Sequence, residues 1–159
     1  RLDFIIPSPV ATESFYFGRL AYLTLYNRTI SPEAFSKISA SCKKVTLILT
    51  KRTTLELLEY FQSLMEIAAS NSSLQELEIS IVGKGTDGGS ATAFFEKVYW
   101  LLRNNKMKEI VINAEKLKFP ANLKVKVTRS LLYQNNLNRF TVHCRNEHLF
   151  ERKFFLRRV

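Results

Sequence analysis

A short apolar pattern recurs five times along the chain, and it limits the possible folds more than any other sequence feature. In each copy an apolar residue is followed by apolar residues three and five positions later, and the copies begin at residues 20, 42, 74, 107 and 137. Regular recurrence at such intervals is typical of repeat proteins. The copies are Leu20-x-x-Leu23-x-Leu25, Cys42-x-x-Val45-x-Leu47, Leu74-x-x-Leu77-x-Ile79, Met107-x-x-Ile110-x-Ile112 and Leu137-x-x-Phe140-x-Val142.

Helical patterns separate these copies. Ser31-Pro32-Glu33 predicts a helix start, since Ser is a good N-cap and Pro suits the first helical position. Thr53 or Thr54 is predicted to begin a second, longer helix with an apolar stripe, and Ser90 is predicted to begin a third. A fourth is expected over about 125–134, although the alternation in 123–127 also fits a strand. Asn and Ser before the later copies (71–73, 104–106 and 135–136) are expected to end the helices, through left-handed geometry or bonds to nearby backbone.

Alternating strands and helices predict an α/β fold with parallel strands. The residues between the buried strand positions decide its architecture, because a sheet covered on both faces has nearly continuous apolar strands. Here these positions are mostly polar or amphipathic, so we expect helices on one face and solvent on the other, as in a solenoid. They are Tyr22, Thr24, Tyr26, Lys44, Thr46, Ile48, Glu76, Glu78, Ser80, Glu109, Val111, Asn113, Arg139, Thr141 and His143.

The first and third copies resemble the L-x-x-L-x-L core of leucine-rich repeats. The family's Asn or Cys three residues after the last Leu is missing, because Asn27 comes one position early and the other copies have Thr50, Val82, Glu115 and Arg145 there. The unequal spacing also departs from strict repeats of 20–29 residues. The irregular repeats, the 131–142 segment and the basic end are similar to the C-terminal, substrate-binding regions of nematode-type F-box proteins.

The organisation predicts a single repeat domain, 1–159, with about five units over 20–144 and further strands at Asp3–Ile6 and about 150–159. The resemblance implies that the domain is a fragment of a longer cytoplasmic or nuclear protein whose F-box would precede Arg1 and bind the cullin-ligase adaptor. We predict a protein-binding module that recognises a ubiquitination substrate on its strand face, with no enzymatic activity and no cofactor. The expected partner-binding residues are Tyr22, Tyr26, Lys44, Glu76, Glu78, Glu109, Arg139 and His143.

A glycine-rich loop leaves a second interpretation open. Gly83-Lys84-Gly85-Thr86-Asp87-Gly88 has the G-x-G-x-x-G spacing of dinucleotide-binding turns, where backbone N–H groups approach a pyrophosphate. The motif falls in the third unit, and no acid ends the next strand. A flexible loop explains the same residues, so a nucleotide-binding α/β enzyme is retained as the alternative.

The remaining chemistry favours binding over catalysis. The chain carries 24 Lys and Arg against 14 Asp and Glu, a net charge of +10. Most of the positive excess follows Arg103, where we interpret it first as solvated surface, second as a site for an acidic protein and third as an RNA site.

Cys42 and Cys144 are expected to be small buried hydrophobes. We expect no metal site, because a closed zinc site needs four N/S ligands and the spacing of the two cysteines and two histidines does not bring them together. No apolar stretch is long enough for a membrane span.

Overall fold

One sheet organises the part of the chain that the computed structural model describes, which is residues 3–6, 20–52, 54–83, 88–133, 136–144 and 147–153. Its seven strands lie side by side in chain order. The first six are mutually parallel, and the seventh is antiparallel to the sixth. The strands are β1 (Asp3–Ile6), β2 (Tyr22–Tyr26), β3 (Lys44–Leu49), β4 (Glu76–Ile81), β5 (Glu109–Ala114), β6 (Arg139–Cys144) and β7 (Glu147–Lys153).

Four helices connect the described parallel strands from β2 to β6, which confirms the α/β class. They are α1 (Pro32–Ser39), α2 (Leu55–Ser70), α3 (Gly88–Arg103) and α4 (Ala121–Leu131). Each helix contacts the next one along the chain, so the helices form a layer in the same order as the strands. The N-caps of the first two are the expected ones: the Ser31 hydroxyl accepts from the Ala34 N–H, and the Thr54 hydroxyl accepts from the Leu57 N–H.

The repeated apolar positions form the core between the two layers. Within β2 to β5, buried and half-exposed residues alternate, because successive side chains of a strand point to opposite faces. The three apolar residues of every copy are buried, including Cys42 and the other residues that precede the strands. They join the buried helix residues in one cluster. The five copies are therefore equivalent in space as well as in sequence.

A backbone link recurs wherever one unit meets the next. The residue immediately before a strand accepts, through its carbonyl, two N–H groups from the start of the following unit. The Ala21 carbonyl accepts from Lys43 and Lys44, and the Lys43 carbonyl accepts from Gln75 and Glu76. The Gln75 and Lys108 carbonyls do the same for the next two strands. These bonds hold successive strands in the same register.

Three sequence predictions about element bounds were wrong. Helix α3 begins at Gly88 rather than Ser90, since low intrinsic helix propensity does not prevent glycine from occupying a helix end. Helix α4 covers Ala121–Leu131, and the alternation in 123–127 is helical because Leu123, Val127 and Leu131 are buried at four-residue spacing. The final strand starts at Glu147, and residues 154–159 lie outside the described part of the chain.

The asparagines after α2 and α3 donate side-chain hydrogen bonds to helix carbonyls, Asn71 to the end of the neighbouring α1 and Asn105 to α3 itself. Asn71 donates to the Ser39 carbonyl at 2.6 Å and accepts from the Ser73 N–H. Asn105 donates to two carbonyls of α3 and accepts from the Met107 N–H. Neither Asn71 nor Asn105 adopts the left-handed geometry that was also considered, because among the described non-glycine residues a positive φ occurs at Asn27 alone. Residues 134–135 are not described, so this expectation is untested there.

Asn27 connects the first two units of the repeat. Its φ is 56°, its backbone N–H donates to the Ile48 carbonyl, and its Oδ1 accepts from the N–H groups of Thr50 and Lys51 at 3.0 and 3.2 Å. The shift of this asparagine by one position from the leucine-rich-repeat consensus therefore does not prevent it from linking neighbouring units.

We expect Asn27→Ala to lower the free energy of unfolding by about 2 kcal/mol, because two exposed N–H groups lose their acceptor and alanine is strained at positive φ. Asn27→Gly is the matched control, since it removes the same hydrogen bonds without the strain. Urea denaturation of the three proteins should place the glycine variant between the other two. Equal stability of the alanine variant and the wild type would show that these bonds contribute nothing.

Candidate functional site

The half-exposed face of the sheet, here called the strand face, carries all eight predicted partner-binding residues in aligned rows. Adjacent strands are about 4.8 Å apart, so residues in register are close neighbours. The first row is Tyr22, Lys44, Glu76, Glu109 and Arg139. The second row is Thr24, Thr46, Glu78, Val111 and Thr141, and the third is Tyr26, Ile48, Ser80, Asn113 and His143.

Six of these eight residues surround a shallow depression of about 210 Å³ in the middle of the strand face. Tyr22 and Tyr26 do not line it, because β2 lies two strands away from its centre at β4 and β5. Asn113 does line it and was missed as a site residue, although its position in the repeat was the available signal. The six predicted residues at the depression are Lys44, Glu76, Glu78, Glu109, Arg139 and His143.

Hydrogen bonds and one ion pair fix part of the depression. Glu78 is held from two sides, by the Lys44 Nζ at 3.7 Å and by the Asn113 Nδ2 at 3.3 Å. The same Asn113 amide also lies 3.4 Å from the Ser80 hydroxyl. These contacts couple β3, β4 and β5, so the Glu78 carboxylate is oriented before any partner arrives.

The first row of the strand face offers charges without mutual ion pairs. Its order is cation, carboxylate, carboxylate, cation from Lys44 to Arg139. Within the described residues, Glu76, Glu109 and Arg139 make no ion pair within 4.0 Å. The Nε of Arg139 is buried and has no hydrogen-bond partner there. A buried donor without an acceptor costs stability.

Thr141 departs from the expected solvent exposure of the strand face. Its register partner is Val111, yet it is completely buried, and its hydroxyl lacks a hydrogen-bond partner among the described residues. The pairing of β6 with β7 is irregular between Phe140 and Val142, at this residue. Strand periodicity alone therefore predicted the correct row for Thr141 but the wrong solvent exposure of its side chain.

Replacement of Thr141 by valine is expected to raise the free energy of unfolding by about 1 kcal/mol, because it removes a buried hydroxyl without changing the side-chain shape. Thermal unfolding should accordingly shift upward. Thr46→Val, at a half-exposed position of the same row, is the control and should change stability by less than about 0.5 kcal/mol. A less stable Thr141→Val protein would show that the hydroxyl is hydrogen-bonded.

The cysteines and acidic residues do not form a reactive centre in the described part of the structure. Cys42 and Cys144 are both buried, as expected. Burial raises the pKa of the Cys42 thiol to about 11, which suppresses the nucleophilic thiolate at neutral pH. Across the described residues, no group of three or more His, Cys, Asp and Glu side chains has an arrangement that could hold a metal ion.

The first glycine of the G-x-G-x-x-G motif has a packing role. A Cβ on Gly83 would lie 1.9 Å from the carbonyl oxygen of Lys51, so only glycine allows this approach. The Gly83 N–H already donates to the Leu49 carbonyl at 3.2 Å. Residues 84–87 lie outside the described ranges, whereas Gly88 opens α3. The last glycine of the motif is therefore the first residue of α3, closer to the helix start than the sequence suggested. The N–H of its first glycine is already hydrogen-bonded within the protein.

None of the described helices combines the length and the apolar composition needed to cross a bilayer. No protein-family model matches the chain, and searches of curated proteins and of solved structures give no significant match. The geometry of the strand face is therefore the basis for a functional proposal.

Proposed function

We propose that this domain is a leucine-rich-repeat-like solenoid that recognises a protein partner on its strand face. The observation that carries the proposal is the row Lys44–Glu76–Glu109–Arg139, which presents charges of both signs at fixed strand spacing, with no ion pair inside the row among the described residues. Tyr22 and Tyr26 extend this surface, and Tyr and Arg are enriched among the residues that dominate binding energy.

The rigidity of the strand face supports recognition without a large entropic cost. Its side chains project from backbone that is hydrogen-bonded on both sides in β2 to β5. Lys44, Glu78 and Asn113 are already connected. Binding to pre-ordered groups loses less conformational freedom than binding to a flexible loop. A partner with a central positive charge flanked by negative charges would complement the first row.

A comparison of two double variants tests the strand face. Tyr26→Ala with Arg139→Ala removes an aromatic and a cation from the strand face, whereas Trp100→Ala with Arg52→Ala removes the same residue classes elsewhere. We expect quantitative affinity capture from the source cells to recover the same partner with the wild type and the control pair, and to lose it with the strand-face pair. Retention of that partner by the strand-face pair would contradict the proposal.

We further propose that the partner is a substrate that the parent protein presents for ubiquitination. The similarity of the irregular repeats to the substrate-binding regions of F-box proteins supports this role. Ubiquitination of the captured partner should then require the parent protein and decrease with the strand-face pair. If the partner binds but its ubiquitination does not depend on the parent protein, the ligase role is wrong and the recognition role still stands.

A further inference from the structure

Helix α4 exposes an apolar surface on the side of the molecule that carries the helices. Its buried face consists of Leu123, Val127 and Leu131. On its outer side Val125 and Leu132 are each 63% exposed, and Tyr133 beyond them is 78% exposed. Because Val125 and Leu132 are seven residues apart, they lie on the same side of the helix. The name α4 patch is used for the residues around the shallow depression there: Lys124, Val125, Thr128, Arg129 and Leu132.

The position of α4 leaves this patch open within the described structure. The helix contacts α3 on one flank, where the Ser130 side chain hydrogen-bonds Tyr99. On the other flank no further described helix follows, since β6 is joined to the antiparallel β7 by two residues rather than by a helical crossover. The depression at the α4 patch has a volume of about 370 Å³.

The surroundings of the α4 patch are positively charged. Residues 116–146 contain no Asp or Glu, and α4 itself contributes Lys124, Lys126 and Arg129. The pKa of Tyr99, on the neighbouring helix, is lowered first by its hydrogen bond with Ser130 and further by the nearby cations Arg103 and Lys126. An anionic partner would therefore be attracted to this side of the helix layer.

We propose that the α4 patch docks an acidic amphipathic helix of a second protein. Leucine-like side chains of that helix would cover Val125 and Leu132, and its carboxylates would meet Arg129 and the neighbouring cations. This occupant matches both properties of the patch. A sugar–phosphate backbone would satisfy the charge and leave the aliphatic side chains in water. An anionic bilayer would also match the charge, so anionic phospholipid vesicles serve as the competing probe.

This docking site is distinct from the strand face. The strand face lies on one side of the sheet, and α4 packs on the other through its buried residues. The strand-face proposal can therefore fail while the α4 proposal holds, and the converse is equally true.

A designed peptide provides the test, with the full chain as the receptor. The probe is a fluorescent peptide of about 15 residues with Leu at three- and four-residue spacing and Glu at the other positions. We expect saturable binding by anisotropy that weakens as salt is raised to physiological strength. Val125→Gln with Leu132→Gln should weaken it at least about tenfold, and Arg129→Glu should do the same.

Matched controls separate a local effect from a general one. Leu55→Gln removes an apolar side chain that is 51% exposed on α2, and Lys43→Glu reverses an exposed charge elsewhere. Both should leave the affinity within about twofold, and circular dichroism should show that every variant is folded. The proposal is overturned if the peptide does not bind, or if a peptide with Lys in place of Glu binds equally well. Tighter binding of an RNA oligonucleotide, or of anionic phospholipid vesicles, with loss in the same α4 variants would also overturn it.

Discussion

Replacing Gly83 by alanine is expected to lower the free energy of unfolding by about 3 kcal/mol, because the added methyl group has no free volume. The nearest atoms are backbone atoms of Lys51, at 1.9 Å from the carbonyl oxygen and 2.6 Å from its carbon. Backbone cannot rotate out of the way as a flexible side chain would. The hydrogen bonds from Val82 and Gly83 to the Leu49 carbonyl would be displaced as well.

Val82→Ala is the matched control for this substitution. Val82 is adjacent in sequence and exposed, so its truncation should cost less than about 0.5 kcal/mol. Chemical denaturation of both variants compares the two positions. If Gly83→Ala is as stable as the wild type, the contact with Lys51 does not constrain this position, and a role for the glycine in ligand binding becomes the better explanation.

Truncation of Phe95 to alanine should lower the free energy of unfolding by about 3–5 kcal/mol. The ring is completely buried and contacts two other aromatic rings, with centroid distances of 5.3 Å to Phe94 and 4.9 Å to Phe119. Phe119 immediately precedes Pro120, at the start of α4. The side chain of Phe95 thus connects α3 to the segment that leads into the last helix, and its loss would leave a cavity there.

Phe95→Leu is the control, since leucine fills most of the same volume and should cost less than about 1.5 kcal/mol. Denaturation curves followed by circular dichroism give the comparison. A loss below 1 kcal/mol for Phe95→Ala would mean that the core relaxes around the cavity and that the aromatic cluster does not hold α4 in place.

The sequence predicted the strands well because their pattern is local and repeated. The copies starting at Leu20, Cys42, Leu74, Met107 and Leu137 each specify one buried strand face, and equal strand patterns bring the alternate residues into aligned rows. The eight predicted partner-binding residues lie on a single face for the same reason. Nothing beyond the period of a strand was needed.

Other features depend on contacts between distant residues and could not be read from the pattern. The approach of Gly83 to Lys51, the burial of Thr141 and the isolated Nε of Arg139 all depend on neighbouring units. The hydrogen bonds by which Asn27 links two units were not predicted, because the leucine-rich-repeat consensus places its asparagine one residue later. The start of α4 was missed because alternation at Leu123, Val125 and Val127 suits a strand as well as a helix, and only burial decides between them.

Site-specific photo-crosslinking tests the central claim, that the strand face is the recognition surface. A benzophenone amino acid would replace Tyr22 or Tyr26 on the strand face, or Trp100 on α3 as the control. The partner captured by the wild-type protein should crosslink strongly at positions 22 and 26 and should not crosslink at position 100. Crosslinking at position 100 with none at 22 or 26 would contradict the account.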